Sequence, residues 1–589
     1  MHIKHKYNLS TSYGALLFLS LALGTLPAVA LGAAAKKEEK PQAEATKKPA
    51  TAPKIGSAGS YLSSQYARGS GNVDAAISYL SAALAKNPEN TGLASQLLAM
   101  QVLKGDFTNA LVNATSLEKK NIRDPLSDLL ISVTLIKNKN YAGASKKLTE
   151  AFDTANGQLW LPLVDAWVDA GKGNIKQPIL LEEMPVTVGR AASVMNYHLA
   201  LINAFAGFND QAAINFVDAV EEPETAPMRI MQQAEYLSVK HPELVALKEI
   251  VQKYHVVHPG ALPELESPIK TPLDGVSEVL YTMGSVMQLA GVQHDAAVYM
   301  QLALYLRPDF HLASFALAEI LTDQKAYERA SALLSAIPAS SQYALKAALR
   351  QGLILDKMGK TPEALEVLAG LAARQPKATE PWIARGDLLR VHDRFLEASI
   401  AYTEALNRSG ELQAKDWPVL YARGSCFERL DRWNDAKADF RKALALNPDQ
   451  PDVLNYLGYG MLVRGEALPE AKAMLEKAIA ASPNDPQIID SMGWALHLLG
   501  QYKQALPFLE RAVELLPGDA TVNDHLGDNY WRLDRKNEAR FQWQRALTFV
   551  PDAEESKKIN TKLSAGLPSA AVPHNTKSAS ANPAATAIP

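Results

Sequence analysis

Four glycines near the end of the chain, Gly424, Gly458, Gly493 and Gly527, stand 34, 35 and 34 residues apart. Ala436, Ala471, Ala505 and Ala539 keep the same steps, as do Ala443, Ala478, Ala512 and Ala546. Pro448, Pro483, Pro517 and Pro551 close each interval, and the one extra residue falls within Gly465–Pro469, where a turn absorbs it. A fixed period of this length means one small structural unit used repeatedly, each too small to bury its own apolar surface and each covered by its neighbours. The chain therefore builds an array rather than one large core.

Within a period the residues read as two antiparallel helices. In Pro486–Gly518, Ile489, Met492 and Leu496 recur at steps of three and four, which aligns them on one helical face. Gly500-Gln501 marks a turn, and Ala505, Leu509, Ala512 and Leu516 form a second face. Gly493 and Ala505 are small because the two helices cross closely there. Pro517 ends the second helix, since proline lacks an N–H and clashes with the preceding turn.

This pattern resembles the tetratricopeptide repeat, which has a large residue at position 4, Leu-Gly at 7–8, an aromatic at 11, Ala at 20, an aromatic at 24, Ala at 27 and Pro at 32. The last unit matches with Leu526-Gly527, Tyr530, Ala539, Trp543, Ala546 and Pro551. Units begin near 520, 486, 451, 417, 379, 345, 311 and 277, and the register reappears with units near 57, 91, 125 and 193. The resemblance implies an all-α fold, a right-handed superhelical solenoid of about twelve antiparallel helix pairs with disordered ends. Two stretches depart from it. Residues 159–192 offer a first-helix face (Leu159, Leu163, Trp167), but Pro178 and Pro185 fall where the second helix belongs. Residues 226–276 read as one degenerate unit and a proline-rich loop, a connector between an N-terminal array (57–225) and a C-terminal array (277–553).

In this family the first helices line the concave side, with positions 2, 5, 9, 12 and 13 facing the groove. Carried onto this sequence, the groove comprises Tyr421, then Asn455 and Tyr459, then Asp490, Trp494 and His497, then Asp524, Asp528 and Trp531. Aromatics flanked by carboxylates suit an apolar or cationic group of a partner protein. The same spacing also lets Trp494 and Trp531 pack between adjacent first helices. Related chaperone-binding arrays grip a terminal carboxylate with Lys, Asn and Arg at positions 5, 9, 2 and 6. Asp490 and Asp524 at position 5 argue against that clamp here.

Catalytic signatures are missing. The sequence holds no phosphate-binding loop, zinc-protease helix or nucleophile elbow. Its one cysteine, Cys426, excludes an intramolecular disulfide framework and any multi-cysteine metal site. His255 and His258 lack an identifiable third ligand, and the 38 residues after Pro551 are too few for a catalytic domain. The reading is a non-enzyme with no metal or cofactor. With 60 basic against 63 acidic residues in 589, the charge gives no reason to expect nucleic acid.

The start of the chain reads as an export signal. Lys4 and Lys6 precede an apolar run from Ala15 to Leu26, Pro27 breaks it, and Ala28-Val29-Ala30 offers a small-x-small cleavage site. The competing reading, an uncleaved anchor, meets Gly24 and Pro27 before the ~20 apolar residues that a span needs. Domains are then a signal peptide (1–30), a linker (31–56), the two arrays with their connector, and a short helix end and disordered tail (554–589). The final block is similar to long exported repeat proteins of Gram-negative bacteria, among them an adaptor of a carboxy-terminal processing protease. That similarity implies a periplasmic scaffold mediating protein–protein contacts in the cell envelope, peripheral to the outer membrane and presenting substrates to a protease. The alternative is a subunit of a polysaccharide-export or cell-wall assembly machine. Partners are proteins in either case, with no membrane span after signal cleavage.

Overall fold

A computed structural model describes residues 56–151, 157–184, 189–220, 226–258, 262–263, 265–549 and 553–568. The signal, nearly all of the linker and most of the tail lie outside the described residues. Among those described there are twenty-eight α-helices and no strands. The chain divides into two compact units, Met1–Gly359 and Lys360–Pro589.

In unit 1 the expected pairs are α1 (Ser57–Gly69) with α2 (Val73–Lys86), α3 (Thr91–Lys104) with α4 (Phe107–Lys119), and α5 (Pro125–Lys137) with α6 (Tyr141–Ala151). Then comes a single helix, α7 (Gly157–Lys172), followed by α8 (Gly189–Ala206) paired with α9 (Asn209–Ala219). Pro178 lies in the non-helical stretch after α7, and Pro185 lies outside the described residues. The connector is a further helix pair, α10 (Met228–Lys240) and α11 (Val245–Val257), leading to α12 (Pro272–Leu289) and α13 (Gln293–Leu306). The unit closes with α14 (His311–Asp323), α15 (Tyr327–Ser335) and α16 (Ala344–Lys357). Unit 2 opens with α17 (Thr361–Arg374), so the repeat expected near 345 is split between the units. Four pairs follow: α18 (Glu380–Val391) and α19 (Phe395–Ser409), α20 (Trp417–Arg429) and α21 (Trp433–Leu446), α22 (Pro451–Val463) and α23 (Leu468–Ala481), α24 (Pro486–Leu498) and α25 (Tyr502–Leu515). A fifth pair, α26 (Ala520–Arg532) and α27 (Lys536–Thr548), is followed by α28 (Ala553–Ala565).

One turn chemistry joins the helices of most pairs. A residue in the left-handed region ends the first helix, and the next N–H reaches back five residues. Thus Asp106 N–H donates to Gln101 O at 2.9 Å after Gly105 (φ 82°), and Arg432 N–H donates to Phe427 O at 2.8 Å after Asp431 (φ 59°). This bond satisfies carbonyls that a helix end leaves without partners. Starts are capped as well: Asp485 accepts from Gln487 and Ile488 N–H, and Asp519 accepts from Val522 N–H. The repeat glycine does what its spacing suggests, although its neighbour differs from the alanine expected. A Cβ on Gly493 would meet Leu509 Cγ at 2.7 Å, and one on Gly424 would meet the Phe440 ring at 2.8 Å. The second helix therefore fills the space over the glycine with its large position-24 side chain, while Ala505 is fully buried alongside.

The break expected at residues 226–276 is not where unit 1 divides. α12 packs on α7, and α13 packs on α3 and α5. Tyr305 stacks on Phe107 at 4.2 Å, and Lys137 donates to Tyr305 O at 2.6 Å with its ammonium 3.7 Å above the ring. Gln301 Nε2 donates to Leu103 O at 3.0 Å. The first helices α3 and α5, expected to border an open groove, are thus faced by the chain's own α13. A buried ion pair ties the connector into the same unit. Arg229 of α10 grips Glu278 of α12 through two bonds, at 3.0 and 2.7 Å, and Tyr197 of α8 donates to Glu278 at 2.8 Å. Burial works against the Glu278 carboxylate, but the guanidinium outweighs it and holds the acid below its usual range.

Candidate functional site

The groove residues expected from the sequence all lie on first helices of unit 2, and the structure sorts them into three groups. Tyr421 of α20 is half-buried in an aromatic cluster, its ring 5.4 Å from Tyr456 and 6.1 Å from Phe440. On α22, Asn455 is 6% exposed with Oδ1 unpartnered, and Tyr459 is half-buried. Burial, then the nearby Asp490 charge, pushes the Tyr459 phenol above its ordinary range.

The third group is a continuous polar and aromatic cluster across α24 and α26. Asp490 faces His525 Nδ1 at 2.9 Å, and the Trp494 ring stacks between His497 (4.5 Å) and His525 (4.0 Å) with planes 10° and 11° apart. The half-buried Trp494 therefore packs between adjacent first helices, the second of the two roles its spacing allowed. His497 Nδ1 lies 3.0 Å from Asn529 Oδ1, and Asn529 donates to Tyr502 O at 3.1 Å. The two imidazoles differ. Burial holds His497 neutral, with its pKa lowered to about 4. His525 is equally buried, but Asp490, Asp524 and Asp528 outweigh that cost and raise its pKa.

Asp524 and Asp528 meet a residue that lies beyond the periodic sequence. Lys562 of α28 donates to Asp524 at 2.6 Å and to Asp528 at 2.8 Å, and Trp543 Nε1 donates to Asp528 at 2.8 Å. Burial and the adjoining Asp528 raise the Asp524 pKa to about 6 despite Lys562. Trp531 lies 5.3 Å from Trp543 beneath the Lys536 ammonium (4.1 Å), and Gly566 sits so close above it that a Cβ there would collide with the indole. The chain's own last helix thus covers the end of the expected groove. The sequence pointed to Asp490, Trp494, His497, Asp524 and Asp528, and the structure brings these together. It missed His525, Asn529 and Lys562. The first two stand at positions 6 and 10 of the last unit, outside the five positions (2, 5, 9, 12 and 13) read as facing the groove, and Lys562 has no periodic signal.

A position-by-position feature remains. Asn455, Asp490 and Asp524 occupy position 5 of three successive units, and each keeps a buried Oδ1 without a partner. Elsewhere, burial pushes the Cys426 thiol up to about 12, so it is not a ready nucleophile. His255 lies within α11, 3.3 Å from Glu235, and His258 packs on Tyr254 at 4.4 Å. No group of three or more metal-ligating side chains occurs among the described residues. No helix among them is long and apolar enough to cross a membrane.

Comparison with known proteins agrees with this architecture. Family models described as tetratricopeptide repeat match residues 349–414, 417–450 and 487–519. A curated TPR repeat-containing protein of Pseudomonas aeruginosa is 28% identical over 243 residues, 41% of this chain, and the match spans 35% of that relative's length. Among solved structures, one chain of the Cut9–Hcn1 hetero-tetramer of the APC/C aligns over 86% of this chain and 96% of its own at 16% identity and a TM-score of 0.37. YrrB, a TPR protein with an unusual peptide-binding site, aligns over 33% of this chain and 99% of its own at 21% identity and a TM-score of 0.27.

Proposed function

The chain belongs to the tetratricopeptide-repeat proteins, and from that premise we propose that it is an exported scaffold of the cell envelope that holds a basic segment of a partner protein against the first helices of unit 2. Repeats of this kind are protein–protein interaction scaffolds, generally without catalysis of their own. One observation carries the choice of surface and partner: the unpartnered Oδ1 atoms of Asn455 and Asp490 at one position of two consecutive units, next to the end that α28 covers. Buried acceptors nearly always find donors, and a segment bearing lysine or arginine supplies them at intervals. The half-buried Trp494, stacked between His497 and His525, holds together the two first helices that carry this surface.

Export rests on the sequence of residues 1–30, with the periplasm as the compartment and presentation of substrates to an envelope protease as the role. Two experiments test the proposal. N-terminal sequencing of periplasmic material should begin near Leu31, and a membrane-bound chain starting at Met1 would overturn export. In a pull-down from envelope extract, Asp490→Asn and Trp494→Ala should lose a protease and its substrates that the wild type and Lys503→Ala retain. Capture of export-machine subunits instead would replace the protease reading. Equal capture by all variants would remove the surface from the account.

A further inference from the structure

Unit 1 contains a cleft distinct from the first-helix row of unit 2. It opens between α8, α9 and α10 and has a volume of about 150 Å³. Leu201, Phe205, Phe216, Leu237 and Ile269 give it apolar walls. Phe216 is fully buried, whereas Phe205 is 37% exposed and reaches toward solvent. A cleft of this size admits a benzene-sized group.

Gln233, Tyr236, Lys240 and His241 bring polar groups to the same lining, and two of them matter for what enters. Gln233 of α10 is 3% exposed, yet its Nε2 has no hydrogen-bond partner. An amide donor left unmet at the wall of an apolar cleft costs stability unless something entering the cleft accepts from it. Lys240, at the end of the same helix, carries an exposed ammonium 4.3 Å above the Tyr236 ring. His241 beside it is engaged with Asn209 and Glu243, each at 3.2 Å, so Lys240 is the cation that the lining presents.

We propose that this cleft is a second docking site, which takes one aromatic side chain from an acidic, extended segment of a partner protein. The ring fills the space between Phe205, Phe216 and Leu237, the backbone carbonyl of that residue accepts from Gln233 Nε2, and a flanking carboxylate pairs with Lys240. Size selects a single side chain, the unmet amide requires an acceptor attached to it, and Lys240 sets the sign of its neighbours. The site favours the opposite charge to the unit 2 surface and shares no residue with it. Failure of one proposal therefore leaves the other standing.

The test uses the full chain and fluorescently labelled peptides. Acetyl-Ala-Asp-Phe-Asp-Ala-amide should bind saturably. Replacing its Phe by Ala should abolish binding, and replacing both Asp by Asn should weaken it about tenfold. On the protein side, Lys240→Glu should weaken binding at least tenfold and Gln233→Leu severalfold, while Trp494→Ala should change nothing. Lys240 is on the surface, so its variant decides the matter even if Gln233→Leu lowers the melting temperature. Failure of the wild type to bind, equal binding of the ring-less peptide, or indifference to Lys240→Glu would each overturn the proposal.

Discussion

His198 sits fully buried on α8 with neither ring nitrogen partnered, and burial lowers its pKa to about 4. In the unfolded chain an imidazole titrates near ~6.5. Between these values the unfolded state binds more protons, so the folded state loses stability as the pH falls from about 6.5 to 4 and keeps it in full above. Replacing this unmet polar ring by an apolar side chain should help. His198→Leu is expected to stabilise the protein by about 1 kcal/mol at pH 7 and to flatten the acid side of the stability profile, measured as urea midpoints from pH 7 to pH 4.5. His294 and His497, also lowered to about 4 by burial, keep part of the slope. A steeper profile in the variant would contradict this. At this scale the repeat glycines and alanines were legible because steric demands fix them. The direction of the half-buried tryptophans was not, because a ring at one helical position can face a partner or a neighbouring helix, and only the flanking His497 and His525 decide it.

At the scale of elements, the 34-residue period revealed twelve helix pairs because each unit repeats the same turn and crossing. It was silent about α28. That helix carries no Leu-Gly or alanine markers, and what ties it down is Lys562 against Asp524 and Asp528. Truncating one partner of such a cluster leaves buried charge uncompensated, so Lys562→Ala should cost about 3 kcal/mol at pH 7. The sign of its pH dependence follows from Asp524, whose pKa stands near 6 even with the lysine present. Near pH 5 Asp524 of the variant can take up a proton and shed the repulsion. At pH 8 it cannot. The deficit relative to wild type should therefore widen from pH 5 to pH 8 in paired denaturation curves, and a deficit independent of pH would show that Lys562 acts by packing alone.

At the scale of the molecule, the sequence suggested two arrays parted at residues 226–276, and the structure places the division after Gly359. Periodicity is local, so it cannot report that Tyr305 and Gln301 of α13 return to α3, α4 and α5 through contacts almost two hundred residues apart in sequence. Within a stack, however, each pair still leans chiefly on its neighbours, and damage should stay near its source. Gly493→Leu is the probe, since even a Cβ there meets Leu509 at 2.7 Å and the larger side chain should cost roughly 1–3 kcal/mol or more. The measurement is amide hydrogen exchange of the full chain, wild type against Gly493→Leu. A solenoid of helix pairs predicts faster exchange across residues 451–549 and unchanged protection across residues 56–220. Uniform loss of protection from residue 56 to residue 549 would mean a single cooperative core and would contradict the account.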